Sequence, residues 1–268
     1  MVLGSWATGY IAAANANRES VVRVLTYHRF GRVDGDPFCI EPSDFEEQMG
    51  YLADRRLAVS LSEFEEFLSG RTTLRPGAVL VTIDDGFRSL YTTGLPILRH
   101  YAIPAVAFVT TALVRAGDAQ SVAASEPEDY LTWDELAVLR ESGVAIGSHG
   151  WTHKSLGRMS DPEIEEQAVL SFNMLKQRLG CPIIAFAYPF GTRADFNART
   201  TEILRRTGYL CAFTSQHGPI WPGMEPCCLP RIKVEGGEAL WLFRLLVRGG
   251  MDNWRWIDRA LWQWQDSK

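Results

Sequence analysis

Short β-branched runs alternate with helix-start signals along most of this 268-residue chain. Compact apolar runs rich in Val, Ile and aromatic residues read as strands, and their separation by helical segments reads as the crossovers of a parallel sheet. The expected strands are 21–26, 79–83, 105–110, 144–148, 183–188 and 209–213. Between them, Ser43/Glu46, Thr132/Glu135 and Ser160/Glu163 have capping-box spacing, in which the hydroxyl accepts from a first-turn amide and the Glu reaches back. A helix is expected after each. Beyond the last box, apolar residues recur helically from Ile164 through Val169, Leu170 and Met174 to Leu175, so one face is expected to pack inward. About seven such units without an internal linker predict an α/β fold, a (β/α) barrel in one domain. An open doubly wound sheet is the alternative.

Composition narrows the function. A hydrophobic fraction of 46% with 22% charged residues supplies a large core and argues against global disorder. The net charge of -5, with no Lys/Arg run, excludes nucleic acid as an expected partner. Five cysteines, Cys39, Cys181, Cys211 and the vicinal Cys227 and Cys228, follow no CxxC spacing and read as free or buried thiols, which suits the cytoplasm. Residues 1–20 lack the basic start and sustained apolar stretch of a signal peptide, so a loosely ordered leader is expected there. No apolar run of about eighteen residues occurs, and no spanning helix is expected.

Chemistry concentrates at two strand ends. Asp84 and Asp85 close the run Val-Leu-Val-Thr-Ile and precede Gly86, which permits a tight exit. Adjacent side chains on such a backbone point in different directions, so one carboxylate can ligate a metal while the other faces a reacting water. His149 and His153 follow another strand, and one helical turn would place both rings on one face. One carboxylate and two imidazoles suit a Zn²⁺-like ion with positions left open for water and a carbonyl, and the second carboxylate supplies a base. Hydrolysis of an amide or ester is the chemistry expected.

The segments Thr-Ile-Asp-Asp-Gly (82–86), Ser-His-Gly-Trp-Thr-His (148–153) and Tyr-Pro-Phe-Gly (188–191) resemble, in order and spacing, the first three motifs of the polysaccharide deacetylases. These form the NodB-homology or carbohydrate esterase family 4 domain. The resemblance runs from about Val21 to Val234 and takes in Leu-Thr-Tyr-His (25–28), Leu-Thr-Trp-Asp-Glu-Leu (131–136) and Leu-Pro-Arg-Ile (229–232), nearest the poly-N-acetylglucosamine deacetylase branch. It implies a distorted (β/α)7-8 barrel of NodB type, here over 21–236; residues 237–268, beyond the resemblance, read as a Trp-rich helical extension packed on the barrel. It also implies one divalent metal, usually Zn²⁺ with Co²⁺, Ni²⁺, Fe²⁺ or Mn²⁺ as substitutes, and removal of an N-acetyl group from an amino sugar. By motif, Asp84 would be the general base, Asp85, His149 and His153 the metal ligands, and the backbone N–H of Phe190 the oxyanion donor.

Several positions depart from the family pattern. Ala187 stands where an Arg is common and Phe190 where a Tyr is, so the resemblance points to Arg231 as the residue that steadies the base. Gly150 follows the first His where Ser or Thr is common, with Thr152 the nearest substitute hydroxyl. The usual late Leu-x-His motif is missing. The acid for the leaving amine is then His28, after the first strand, with His217 as the second candidate; His100, at a helix end, reads as structural.

Five of the nine tryptophans, Trp241, Trp254, Trp256, Trp262 and Trp264, fall in the tail, spaced helically with Leu242, Leu245 and Leu246. Core packing is one reading. Peripheral contact with a membrane or a lipid-linked substrate, flanked by Arg244, Arg248, Arg255 and Arg259, is the other. The expected activity is deacetylation of an N-acetylated carbohydrate. The alternatives are an amide hydrolase acting on a small, nucleotide-linked or lipid-linked sugar, and an inactive domain that only binds carbohydrate.

Overall fold

β4 (Ala78–Ile83) is apolar but for Thr82, β1 (Val22–Tyr27) sets Arg23, Thr26 and Tyr27 beside Val22, Val24 and Leu25, and every residue of both strands is buried. Strands covered on both faces read as continuous apolar runs. In the computed structural model, which describes residues 20–116 and 129–254, they lie side by side in parallel, Val22 opposite Ala78 through Tyr27 opposite Ile83. β5 (Ala105–Val109), β6 (Val144–Ser148), β7 (Ala185–Ala187) and β8 (Cys211–Phe213) continue the sheet on one side and β9 (Ile232–Lys233) on the other. The remaining strands, β2 (Arg29–Phe30) and β3 (Cys39–Ile40), pair with each other alone.

The seven-stranded order β8-β7-β6-β5-β4-β1-β9 follows the chain from β4 to β8, with no reversal of direction between them. That excludes the doubly wound alternative, whose order turns back at a switch point. The sheet curls instead, and one connection links its edges. Leu229 bridges Phe213 of β8, and Ile232 then pairs with Leu25 of β1. The architecture is a distorted (β/α) half-barrel.

Strand alternation divides the core in two. Val22, Val24, Leu80, Val106, Phe108, Ala185, Ala187 and Phe213 meet inside the curl, where Phe64 and Phe67 of α2 (Leu61–Leu68) join them. Leu25, Tyr27, Val79, Val81 and Ile83 pack on the outer helices, among them α1 (Pro42–Asp54), α3 (Leu95–His100), α4 (Trp133–Glu141) and α5 (Asp161–Leu179). Two more helices, α6 (Ala198–Thr207) and α7 (Leu240–Val247), complete the outer layer. Gly147 leaves room for the Phe108 ring, which a Cβ would approach to 2.5 Å. Gly147→Ala is therefore expected to lower unfolding stability by about 1–3 kcal/mol, measured by denaturant titration.

The helix signals held in part. Thr132 and Glu135 form the expected box, and so do Ser160 and Glu163, whose carboxylate accepts from the Ser160 N–H and hydroxyl. Ser43 caps nothing: Glu41 is the N-cap and Pro42 occupies the first helical position, so α1 starts two residues earlier than the Ser43/Glu46 pattern implied. A box at Ser60/Glu63 starts α2 and was not anticipated. On α5 the buried stripe is Ile164, Gln167, Ala168, Ser171, Leu175 and Leu179, and Val169 is exposed. Three- and four-residue steps from Ile164 reach Ala168 and Ser171 but pass Val169 by.

The tail is described only to Trp254, so Trp256, Trp262 and Trp264, like the leader up to residue 19, lie outside the described residues. Phe243, Leu246 and Val247 carry the packing of α7, whereas Trp241 is exposed. Asp252 reaches back to Arg23, buried in β1, through bonds of 3.0 and 2.6 Å. Among the described residues no helix is long and apolar enough to cross a membrane, and the five cysteines are free.

Candidate active site

Inward alternation along β4 runs Leu80, Thr82 and then Asp84, just past the strand end. Asp84 is still tied to the sheet, its N–H donating to the Tyr27 carbonyl at 2.9 Å. The chain then turns. Asp85 takes φ 73° and Gly86 φ 84°, and the Gly86 N–H closes back on the Asp84 carbonyl at 3.0 Å. One carboxylate thus stays inside the curl while the next swings toward β6.

His149 follows β6, and its N–H donates to the Val109 carbonyl at 2.9 Å. Residues 149–153 are a loop and not the helical turn their spacing suggested. Gly150 has φ 77° and His153 φ 55°, and side chains hold the loop. The Ser148 hydroxyl accepts from the Gly150 N–H, and Gln167 Oε1 accepts from the N–H and hydroxyl of Thr152. Thr152 therefore steadies this loop and supplies no hydroxyl to His149. Of the five non-glycine residues with positive φ among those described, Asp85, His153 and Phe190 belong to this region. Backbone strain gathered at one strand-end cluster is characteristic of functional sites.

The rings of His149 and His153 lie 4.9 Å apart, and the Nε2 of each approaches Asp85 Oδ1, at 3.3 and 3.2 Å. Burial pushes the Asp85 carboxyl up, and the two imidazoles, when protonated, outweigh this and hold it below the usual carboxylate range. Neither contact has hydrogen-bond geometry, and Oδ1 is a buried oxygen without a donor. His149 Nδ1 lies 2.8 Å from the Ala187 carbonyl. A neutral ring must put its proton on that side, which leaves Nε2 a bare acceptor. Three acceptors converging with no donor between them suit a divalent cation, and Asp85, His149 and His153 can hold one.

Asp84 meets Arg231 in a fully buried, two-point ion pair. Nη1 donates to Oδ1 at 2.8 Å and Nη2 to Oδ2 at 2.6 Å. The guanidinium has two further acceptors, the Thr214 carbonyl from Nε (3.0 Å) and Thr82 Oγ1 from Nη1 (3.2 Å), and it lies 5.7 Å from the Phe108 ring centroid. Burial alone would push the Asp84 carboxyl up, but the charges of Arg231 and His149 bring it below its ordinary value. Asp84 is thus an ionised carboxylate in an apolar wall.

His28 immediately follows β1, close enough to feel Asp84, Asp85, His149 and Arg231, and its Nδ1 is buried without a partner. Burial lowers its basicity more than the two carboxylates raise it. The Phe190 ring stands 4.9 Å from that of His153. His217 lines a cavity of about 580 Å³ with Arg193, Thr214, Gln216, Trp221 and Met224, and its ring is 5.8 Å from Trp254. His100 ends α3 against Tyr101. The sequence reading missed Thr82 and the carbonyls of Ala187 and Thr214. Thr82 was within reach, because its place two residues before Asp84 puts it on the same strand face.

Comparisons with known proteins bear on the family and the fold. Residues 71–212, more than half of the chain, match the family model described as polysaccharide deacetylase. The chain is 32% identical over 234 residues to the poly-beta-1,6-N-acetyl-D-glucosamine N-deacetylase of Escherichia coli (strain K12), a match that covers 75% of this chain and 34% of that protein. It therefore spans about a third of that relative's length. Among solved structures, IcaB from Ammonifex degensii superposes with a TM-score of 0.70 at 26% identity, covering 87% of this chain and 97% of that one. The Streptococcus pyogenes deacetylase PplD, solved in complex with acetate, shares the fold with a TM-score of 0.75 at 22% identity, over 85% and 97% of the two chains. With its motifs gathered at one mouth of a curled parallel sheet and more than half of its length matching the family model, the chain belongs to the polysaccharide deacetylase family.

Proposed function

We propose that this protein hydrolyses the N-acetyl amide of an amino-sugar unit in a glycan. The observation that carries this reading is the buried, ionised Asp84 held by Arg231 beside the converging acceptors of Asp85, His149 and His153. A divalent cation bound by those three residues would supply Lewis acidity toward water and an acyl oxygen. Asp84 takes the proton of the attacking water, and Arg231 keeps that carboxylate charged and pointed into the site. The amide N–H of Phe190 donates to the oxygen that gains charge as the acyl carbon becomes tetrahedral. His28 delivers a proton to the leaving nitrogen. Because burial lowers its basicity, the ring is neutral in the free protein at pH 7, and the acid role requires it to gain a proton within the catalytic cycle.

The similarity to the E. coli N-deacetylase supports a polymeric N-acetylglucosamine substrate over a small metabolite. A base held in this way beside a ligand set speaks against a domain that only binds carbohydrate. The test combines metal analysis with acetate release from N-acetylated saccharides, nucleotide sugars and lipid-linked sugars. One divalent ion per chain is expected, with acetate released from N-acetylglucosamine oligomers, lost on chelation and restored by metal. Failure of the metal-loaded protein to release acetate from any of these substrates would overturn the reading.

A further inference from the structure

Two open aromatic rings border the site. Phe190 is 59% exposed and rests on the ligand side, against His153. Phe38, 38% exposed, stands against His28, ring centroids 4.7 Å apart and planes 73° from parallel. Open aromatic rings beside a cluster of polar groups offer a flat apolar surface to a ligand whose polar atoms the cluster can meet.

Phe38 is held rigidly for a residue on a connecting segment. Its N–H donates to Asp36 Oδ1 at 3.0 Å, and its carbonyl accepts from the Arg29 N–H at 3.2 Å. Arg29 Nε in turn donates to Asp36 at 2.7 Å. The preceding carbonyl, of Pro37, accepts from the Gly236 N–H at 2.9 Å, and the next residue enters β3. Lys233 Nζ lies 4.8 Å from the ring centroid. The ring is therefore fixed at two borders, by His28 and Lys233, and its remaining surface is open to solvent. A flat apolar ring of this kind matches the C–H face of a pyranose, and a ligand resting on it has its substituents set at a fixed distance from the neighbouring imidazole.

We propose that Phe38 is a specificity-determining residue, the wall on which the amino sugar rests so that its leaving nitrogen is presented to His28. This rests on the reading in which His28 serves as the acid for an N-acetylated sugar. Two substrates separate the two ideas. An N-acetylglucosamine oligomer needs both the sugar contact and the proton. The aryl ester 4-nitrophenyl acetate has no sugar ring, and its leaving group departs without protonation.

With the metal-loaded full chain, Phe38→Leu is expected to lower kcat/KM on the oligomer by about tenfold or more, and to leave the aryl ester within about twofold of the parent. Phe38→Tyr, which keeps the flat ring, should retain both rates. Equal loss on the two substrates, or full retention on the oligomer, would overturn the proposal. Thermal melting checks that each variant folds, and Phe38→Met replaces Phe38→Leu if the latter does not. A parent protein that cleaves the ester but no N-acetylated saccharide would instead sink the deacetylase reading itself.

Discussion

Asp84→Asn is expected to lower acetate release by roughly 10²- to 10⁴-fold while the protein keeps its divalent ion. The amide retains the shape of the carboxylate and can accept one of the two Arg231 bonds, but its NH2 cannot accept the other and it cannot take a proton from water. Arg231 keeps the Thr214 carbonyl and the Thr82 hydroxyl as acceptors, so the wall around it should stay folded. His149→Ala and Asp85→Ala behave differently, because each removes one of three converging acceptors and should release the ion as well as abolish turnover. Acetate assay and metal stoichiometry on the same samples separate the outcomes. Parental turnover by Asp84→Asn would show that this carboxylate is not the base.

Arg231→Met has the larger expected effect on stability. It strands a charged carboxylate in an apolar wall, a loss of about 3–5 kcal/mol by denaturant unfolding at neutral pH. The pH dependence follows from the direction of the shift. With Arg231 present, Asp84 sits below its ordinary value, so the pair's contribution is present above the usual carboxylate range and fades as pH falls through the lowered value. Without Arg231, burial pushes Asp84 up, and the variant regains stability relative to the parent in acid, where the carboxyl is neutral. The double variant Asp84→Leu/Arg231→Met should recover most of the lost stability and remain inactive, since both charges are gone and apolar contacts replace them. A stability loss independent of pH, or no rescue by the double variant, would show that the pair is not what holds this wall.

Where the sequence was legible, local chemistry was sufficient. β4 and β6 began and ended within a residue of their expected bounds, since parallel strands covered on both faces leave a short, mostly apolar run. The capping box at Thr132 marked its helix for the same reason: both partners lie within one turn. The reading failed where a nearby residue outranked the pattern, as Pro42 did over Ser43, and where spacing was taken for conformation. His149 and His153 have helical spacing on a loop that the backbone of Gly150 and the Gln167 side chain shape.

The sequence by itself determined the alternation of parallel strands and helices and the presence of two carboxylates and two imidazoles at strand ends, because each depends on neighbours a few residues apart; the strand order that rules out a doubly wound sheet came only with the fold. The division of labour between Asp84 and Asp85 became physical only in the fold, where β4 alternation turns one inward and a left-handed backbone turns the other out. Arg231 lies 147 residues from Asp84, and Asp252 lies 229 from Arg23. No local pattern announces such partners, since a buried charge is satisfied by whichever segment the closed sheet brings beside it.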